Sequence, residues 1–535
     1  MGRDRSRLIA LAAVLPAVFL ALFFAYPVAT VVWRGLGGEG FASVGDVWAT
    51  GRTRDAIWFT VWQAVLSTVA TVAIALPGAA VVARATPRVR RWLRALVTVP
   101  FVMPTVLVAG AFAELFTRFG LDDGTIRLRH TVWAILLAHV FFNYAVVVRT
   151  VGSFWAGLDH RLEEQAAVLG ASRLRTFVEV TLPRLRPAIA SAASIVFLFS
   201  FTSFGVILVL GGPRQATIET EIHRYAITRI DFTAAAAVAV LQLIAVIALV
   251  TLTTMLERRR PLTSTAARPA RPSSARARAV NGAGVSVLLG LPIAVVVERS
   301  LAVGGGYGLD HYRALGTRVS QLPAPATTAI RNTIVYASIA MTIALVIGTL
   351  TALVVVHGRG WLRHTFDLGL TIPLGTSAVT IGFGILIALD EHPFDFRTSW
   401  WIVPVAHSLV GIPFVVRTMV PVLRRIDPSL REAAATLGAS PSRVRREIDL
   451  PIARRGLAVG TAFAFAVSVG EFGATSFIPR RPETLTAPRA LFRLLSTPGD
   501  LLRGQAMALA VVMMGLVAVA VIVIESSRSA EEGTF

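Results

Sequence analysis

Two stretches of this sequence space their side chains in a way that suggests docking, not catalysis. The first runs from Asp159 to Pro183 and holds Glu164, Ala166, Ala167 and Gly170; the second runs from Asp427 to Pro451 and holds Glu432, Ala433, Ala434 and Gly438. In the second, Asp427 has the place of a helix N-cap with Pro428 at the first helical position, and Gly438 ends that helix. Ser440 caps a further helix, with Pro441 at its start and Pro451 as its limit. An exposed helix with an alanine-rich face and an abrupt glycine turn can enter a groove on another protein. The alternative is a plain connector between two apolar runs. Two copies at one spacing favour docking.

The other candidates are polar side chains inside apolar runs, where ionisable groups are costly and default to functional roles. Glu471 stands in Val469-Gly470-Glu471-Phe472-Gly473, and Ser203 has the corresponding place earlier in the chain. A carboxylate lining a pathway favours a cationic solute; the other reading puts Glu471 near an outer helix end, facing water or Arg480. His139 and His407 lie mid-run, with Asn143 one turn beyond His139 on the same face. They can face a pathway, or hydrogen-bond between packed helices as neutral groups. Two histidines without a carboxylate cluster make no metal site, and none is expected. No catalytic constellation stands out either: paired carboxylates, a Ser-His pair and a metal set are all missing in proximity. Arg149 and Arg417 fall at the ends of apolar runs and read as headgroup anchors.

These residues must be positioned by membrane helices. Of 535 residues 55% are hydrophobic and only 16% charged, with mean hydropathy +0.67; soluble chains carry about 25% charged residues. Runs long enough to span hydrocarbon fall at 8–33, 57–83, 95–117, 131–150, 187–210 and 233–256, then at 279–297, 330–356, 366–389, 400–423, 456–478 and 505–525. Twelve spans put both termini on one side. The first run is too long for a signal peptide and lacks a small-residue cleavage site. Prolines 100, 104, 373, 404 and 413 predict kinks.

The chain has no cysteine, which excludes disulfides, Cys-ligated zinc, iron–sulfur clusters and thiol catalysis. It has no lysine, so a phosphate-binding loop ending in Gly-Lys-Ser/Thr cannot be present. The net charge of +21 comes from arginines scattered through short loops. That pattern fits positive-inside topology better than a nucleic-acid face, and nucleic acid is not an expected partner. It places both termini and the two docking stretches in the cytoplasm, although Arg480, Arg481, Arg489, Arg493 and Arg503 fall on the other side.

The chain also matches itself. Trp133 and Trp401, His139 and His407, Arg149 and Arg417, Asp159 and Asp427, and Glu164 and Glu432 all stand 268 positions apart, as 432 is from 164. Gly170-Ala171-Ser172, Leu182-Pro183 and Phe204-Gly205 recur at that offset. One six-span unit has been duplicated, with a first half 1–256 (core 57–256), a basic Pro/Ser/Ala linker 257–278 and a second half 279–535 (core 330–525). The fold class expected is an all-α membrane protein of about twelve transmembrane helices in two homologous halves.

With these residues in view, the chain resembles the permease subunits of bacterial ABC importers. Their signature of Glu-Ala-Ala, Gly and hydrophobic-x-Leu-Pro matches Glu432-Ala433-Ala434, Gly438 and Ile448-Asp449-Leu450-Pro451, and the first copy matches at Glu164, Gly170, Val180, Leu182 and Pro183, departing at Gln165. The resemblance implies the type I ABC importer permease fold and coupling helices that sit in clefts of a separate ATP-binding-cassette ATPase, a dimer that holds the ATP and Mg. It also implies an extracytoplasmic solute-binding protein, location in the bacterial cytoplasmic membrane, and a transport subunit that is not an enzyme and binds no cofactor. The fused form, with Leu137-Ala138-His139, Leu210-Gly211-Gly212-Pro213 and Ser468-Val469-Gly470-Glu471-Phe472-Gly473, is similar to the branch of thiamine and ferric-iron permeases. The cargo expected is a small cation, with a lean to thiamine. The rival reading is an ion-coupled secondary transporter, which normally needs midplane acidic or histidine relays.

Overall fold

The computed structural model describes residues 2–37, 39–122, 125–258, 274–358, 360, 366, 376–390, 395–396, 398–478 and 481–532. Among them the chain is helical but for loops and one hairpin, Ala302–Val303 paired antiparallel with Gly306–Tyr307. Among the described residues ten helices are long and apolar enough to cross a bilayer. The pair Arg88–Val102 and Thr105–Arg118 is apolar enough as well but bent by 93°, the form of a broken span or a re-entrant loop. The straight run expected at 95–117 is thus broken. Pro104 has no N–H to continue the ladder and drives the residue before it out of the α region, so Met103 is extended at φ −63°, ψ 146°. Of the run expected at 366–389, Ala378–Ala388 is an apolar helix, while Pro373 lies outside the described residues. Most of the linker, 259–273, also lies outside them; helices reach it from both sides, ending at Arg258 and starting at Ala275.

Two compact units form, and they do not follow the halves of the sequence. One gathers Ala49–Glu221 with Ile244–Arg299; the other gathers Met1–Trp48, Ile222–Leu243 and Ser300–Phe535. In the first, the helices Gly51–Ala83, Val132–Ala156 and Leu182–Phe201 pack on one another, and Ala275–Val285 from beyond the linker packs on Gly51–Ala83. In the second, Ala326–His357, Ile402–Arg425, Leu450–Gly470 and Asp500–Glu532 make the bundle. There Gly2–Leu20 lies on Ala326–His357, and Tyr26–Leu36 lies on Ala378–Ala388. Each half's opening helix therefore packs in the unit built around the other half's core.

Close packing in these bundles follows from small residues at helical spacing. Gly51–Ala83 buries Ala56, Thr60, Ala64, Ser67, Thr71, Ala75 and Ala79, one per turn. Lipid tails are as apolar as leucine, so helices in a bilayer gain from close van der Waals approach more than from hydrophobic burial. Gly78 sits under the Tyr144 hydroxyl, and Gly348 under Val415, where a Cβ would collide. Ala326–His357 repeats the stripe with Ala329, Thr333, Ala337, Ala340, Ala344 and Gly348. Its core includes Ile347, Val415, Met419 and Ala464.

Gly382 meets the backbone of Ala474 in the same way. Gly382→Val should lower the melting temperature of the detergent-solubilised protein by several degrees, in line with overpacking costs of about 1–3 kcal/mol. Gly284→Val, with nothing within 4 Å of the added Cβ, should leave it unchanged. Equal melting of the two variants would contradict the packing described.

Candidate functional site: two matched docking segments

The two stretches singled out by sequence fold alike, element by element. Helix Arg161–Val168 corresponds to Pro428–Thr436, Arg173–Thr176 to Pro441–Val444, and a π-helical turn at Phe177–Thr181 to one at Arg445–Asp449. Asp427 accepts the Ser429 N–H at 2.9 Å, and that bond holds its carboxyl below the usual range; Asp159 accepts the Arg161 N–H at 3.0 Å. Gly170 and Gly438 turn the chain at φ +83° and +80°. An L-residue there would cost about 1–2 kcal/mol, so glycine is the residue the turn requires. Ser172 and Ser440 then cap the next helices, each accepting an N–H at 3.3 Å, from Arg175 and Arg443. Arg175 pairs with Glu179 and Arg443 with Glu447, both at 3.0 Å.

Their surfaces match as well. Glu164 and Glu432 are exposed, as are Ala167 and Ala433, whereas Ala166 and Ala434 are half-buried. Leu169 and Leu437, next to the glycines, are 86% and 88% exposed. A large apolar side chain held that far out beside a tight turn is the kind of feature that meets a partner surface.

One step inside each helix the two copies differ. Glu163 accepts a hydrogen bond from the buried Thr181 hydroxyl at 2.8 Å and lies 3.5 Å from Arg84 and 3.4 Å from His160. Burial opposes its charge, but these neighbours win and hold its carboxyl at about 2, so the network is complete above 4.5 and is lost as pH falls toward 2. The positions 268 further on are Arg431 and Asp449, joined by an Nε–H to Oδ1 bond of 2.8 Å. The sequence reading missed this contact, although the paired exchange of Glu163 for Arg431 and Thr181 for Asp449 was visible at the repeat offset.

The polar residues within the apolar helices fall into two clusters, one in each unit. His139 lies between Ser67 and Ser203, 2.9 Å from each hydroxyl, and Asn143 donates to Ser200 at 3.5 Å. His407 contacts the Ser468 hydroxyl at 2.8 Å through Nδ1, while its Nε2 stands 3.2 Å from Glu471 Oε2 without hydrogen-bond alignment. Glu471 is only 5% exposed. Its carboxylate accepts the N–H groups of Ala474 and Thr475 at 2.7 and 3.1 Å and the Thr475 hydroxyl, so it caps the 3₁₀ turn Ala474–Ser476 just after Leu450–Gly470 ends. Arg480, its expected alternative partner, lies outside the described residues. Sequence reasoning did not foresee that Glu471 faces His407. Among the described residues no three metal-ligating side chains gather. Arg149 donates to Thr98 at 2.6 Å.

Comparison with known proteins bears on the same segments. The model of the family described as binding-protein-dependent transport system inner membrane component matches twice, at residues 75–260 and 344–527, each match containing one docking segment. The chain is 27% identical over 460 residues to the thiamine transport system permease protein of Brucella suis, covering 82% of this chain and 81% of that one. It is 36% identical over 150 residues to the molybdenum transport system permease protein of Escherichia coli, covering 26% of this chain and 66% of that one. Two copies of the domain, spanning most of the sequence and each carrying its own docking segment, make this chain a member of the binding-protein-dependent transport system inner membrane component family: an ABC importer permease in fused, two-copy form.

Proposed function

We propose that this permease carries thiamine inward across the cytoplasmic membrane, with both termini and both docking segments on the cytoplasmic side. The observation that carries the mechanism is the matched pair of segments with exposed Glu164, Leu169, Glu432 and Leu437 around the Gly170 and Gly438 turns. Each seats in a cleft of an ATP-binding-cassette ATPase dimer, which holds the ATP and Mg and performs the hydrolysis; this chain contributes no catalytic group. Closure of that dimer draws the segments together, and the pathway opens outward to a solute-binding protein. The thiamine assignment rests on a relative named for thiamine transport that aligns over both halves of the chain; ferric iron is the alternative cargo.

Within the helices, His139, Asn143, Ser203, His407 and Glu471 are all buried and engaged with neighbours. Their role in this reading is to position helices beside the pathway. For Glu471 that means holding the turn Ala474–Ser476 and bridging to His407 on Ile402–Arg425.

Three outcomes follow. Membrane vesicles containing the complete transporter should accumulate labelled thiamine only with ATP; accumulation that survives ATP depletion and collapses with a protonophore would replace this reading with an ion-coupled transporter. Glu432→Arg combined with Glu164→Arg should abolish co-purification of the ATPase and uptake together, while the permease itself remains in the membrane at normal abundance. Glu471→Gln keeps the shape and loses the charge. It should lower the melting temperature and leave the KM for thiamine unchanged, whereas a raised KM with unchanged melting would place the carboxylate on the cargo.

A further inference from the structure

A docking helix transmits motion only if it is tied to a membrane helix by more than a flexible turn. In each copy the chain passes from the docking helix through a left-handed glycine, and nothing lies within 4 Å of where a Cβ would stand at Gly170 or Gly438. The backbone turn is therefore not wedged by neighbours. A side-chain contact 18 residues along the chain ties the docking helix to the following one, and it is built twice from different chemistry; in the first copy Arg184 also donates to the Asp159 carbonyl at 2.8 Å. In the second copy Arg431 on Pro428–Thr436 reaches Asp449, the residue immediately before Leu450–Gly470. In the first copy Glu163 on Arg161–Val168 reaches Thr181, immediately before Leu182–Phe201, and also Arg84 at the end of Gly51–Ala83. The Arg84 guanidinium in turn lies over the Trp155 ring, 5.4 Å from its centroid, on Val132–Ala156. The helices so reached are the ones that pack into the core of each unit.

We infer that Arg431 with Asp449, and Glu163 with Thr181 and Arg84, are positioning braces that carry displacement of the docking helices into the membrane bundles. They differ from the docking residues proper. Glu163 and Arg431 are half-buried and turned inward to these partners, while Glu164 and Glu432 beside them are exposed. The charge reversal between Glu163 and Arg431 is absorbed inside each copy, and the exposed faces stay alike. The second brace is a simple two-membered ion pair, so its polarity can be exchanged without touching the docking surface.

This inference rests on the docking role proposed above, and its test separates the two. The chain has no cysteine of its own, so spin labels at Thr436→Cys and Arg454→Cys, both exposed positions, report the distance from docking helix to membrane helix in the full-length protein. Arg431→Glu sets two carboxylates against each other and should broaden that distance distribution. In the assembled transporter it should cut cargo moved per ATP hydrolysed by about fivefold or more, a loss on the scale of ordinary coupling energies, while the ATPase still co-purifies. Asp449→Asn should do the same more mildly. The exchange Arg431→Glu with Asp449→Arg should restore both the narrow distribution and the coupling ratio. An unchanged distribution in Arg431→Glu, or an exchange variant that stays broad and uncoupled, would overturn the brace. Failure of the unmodified chain to retain an ATPase would instead overturn the docking role, since the distance measurement needs no partner.

Discussion

A glycine held near φ +80° between two short helices is the constraint on which this architecture turns. It reverses the chain abruptly, at a conformation that other residues reach only at a cost of about 1–2 kcal/mol. Leu169 and Leu437 are left facing outward on the rim of that reversal. The flanking caps at Asp159, Asp427, Ser172 and Ser440 satisfy backbone N–H groups that short helices cannot satisfy themselves. A compact knob results, short enough to project from the helices on either side without a core of its own. In the proposed function the membrane helices hold such a knob and respond when it moves.

Duplication shows which parts of this design are fixed by chemistry and which are free. Caps, glycine turn, Arg–Glu pair and π-helical turn recur at one offset. The inward contacts diverge: glutamate with threonine in one copy, arginine with aspartate in the other. The helix interiors diverge in the same way, since a histidine held between two serines becomes a histidine facing Ser468 and Glu471. Buried polar groups must find partners, but which partners they find is a local matter. Faces that meet another protein lack that freedom.

Much of this was legible from residues alone. Most boundaries in the docking segments follow from Asp427, Pro428, Gly438 and Ser440, because caps act locally and leave a one-dimensional trace; Pro451, expected to end a helix, instead stands in the first turn of Leu450–Gly470. What could not be read is what depends on packing. Pro104 signalled a kink, yet the size of the bend, 93°, depends on where Thr105–Arg118 finds its contacts. Glu471 read as a pathway carboxylate or a wet helix end, because nothing local says that the chain turns back so that Ala474 and Thr475 can cap it. The packing of Gly2–Leu20 against Ala326–His357 joins segments over 300 positions apart, which periodicity cannot show.

In the proposed function both knobs seat on an ATPase at the cytoplasmic face. Because the chain contains no cysteine, a single thiol introduced at Leu169 or at Leu437 can be followed without background in the intact transporter. Each, treated with a maleimide that carries a photoreactive benzophenone and irradiated in inverted membrane vesicles, should become joined to the ATPase, and neither should react with an impermeant maleimide applied to whole cells. Labelling from outside the cell, or cross-linking at neither position, would contradict this seating.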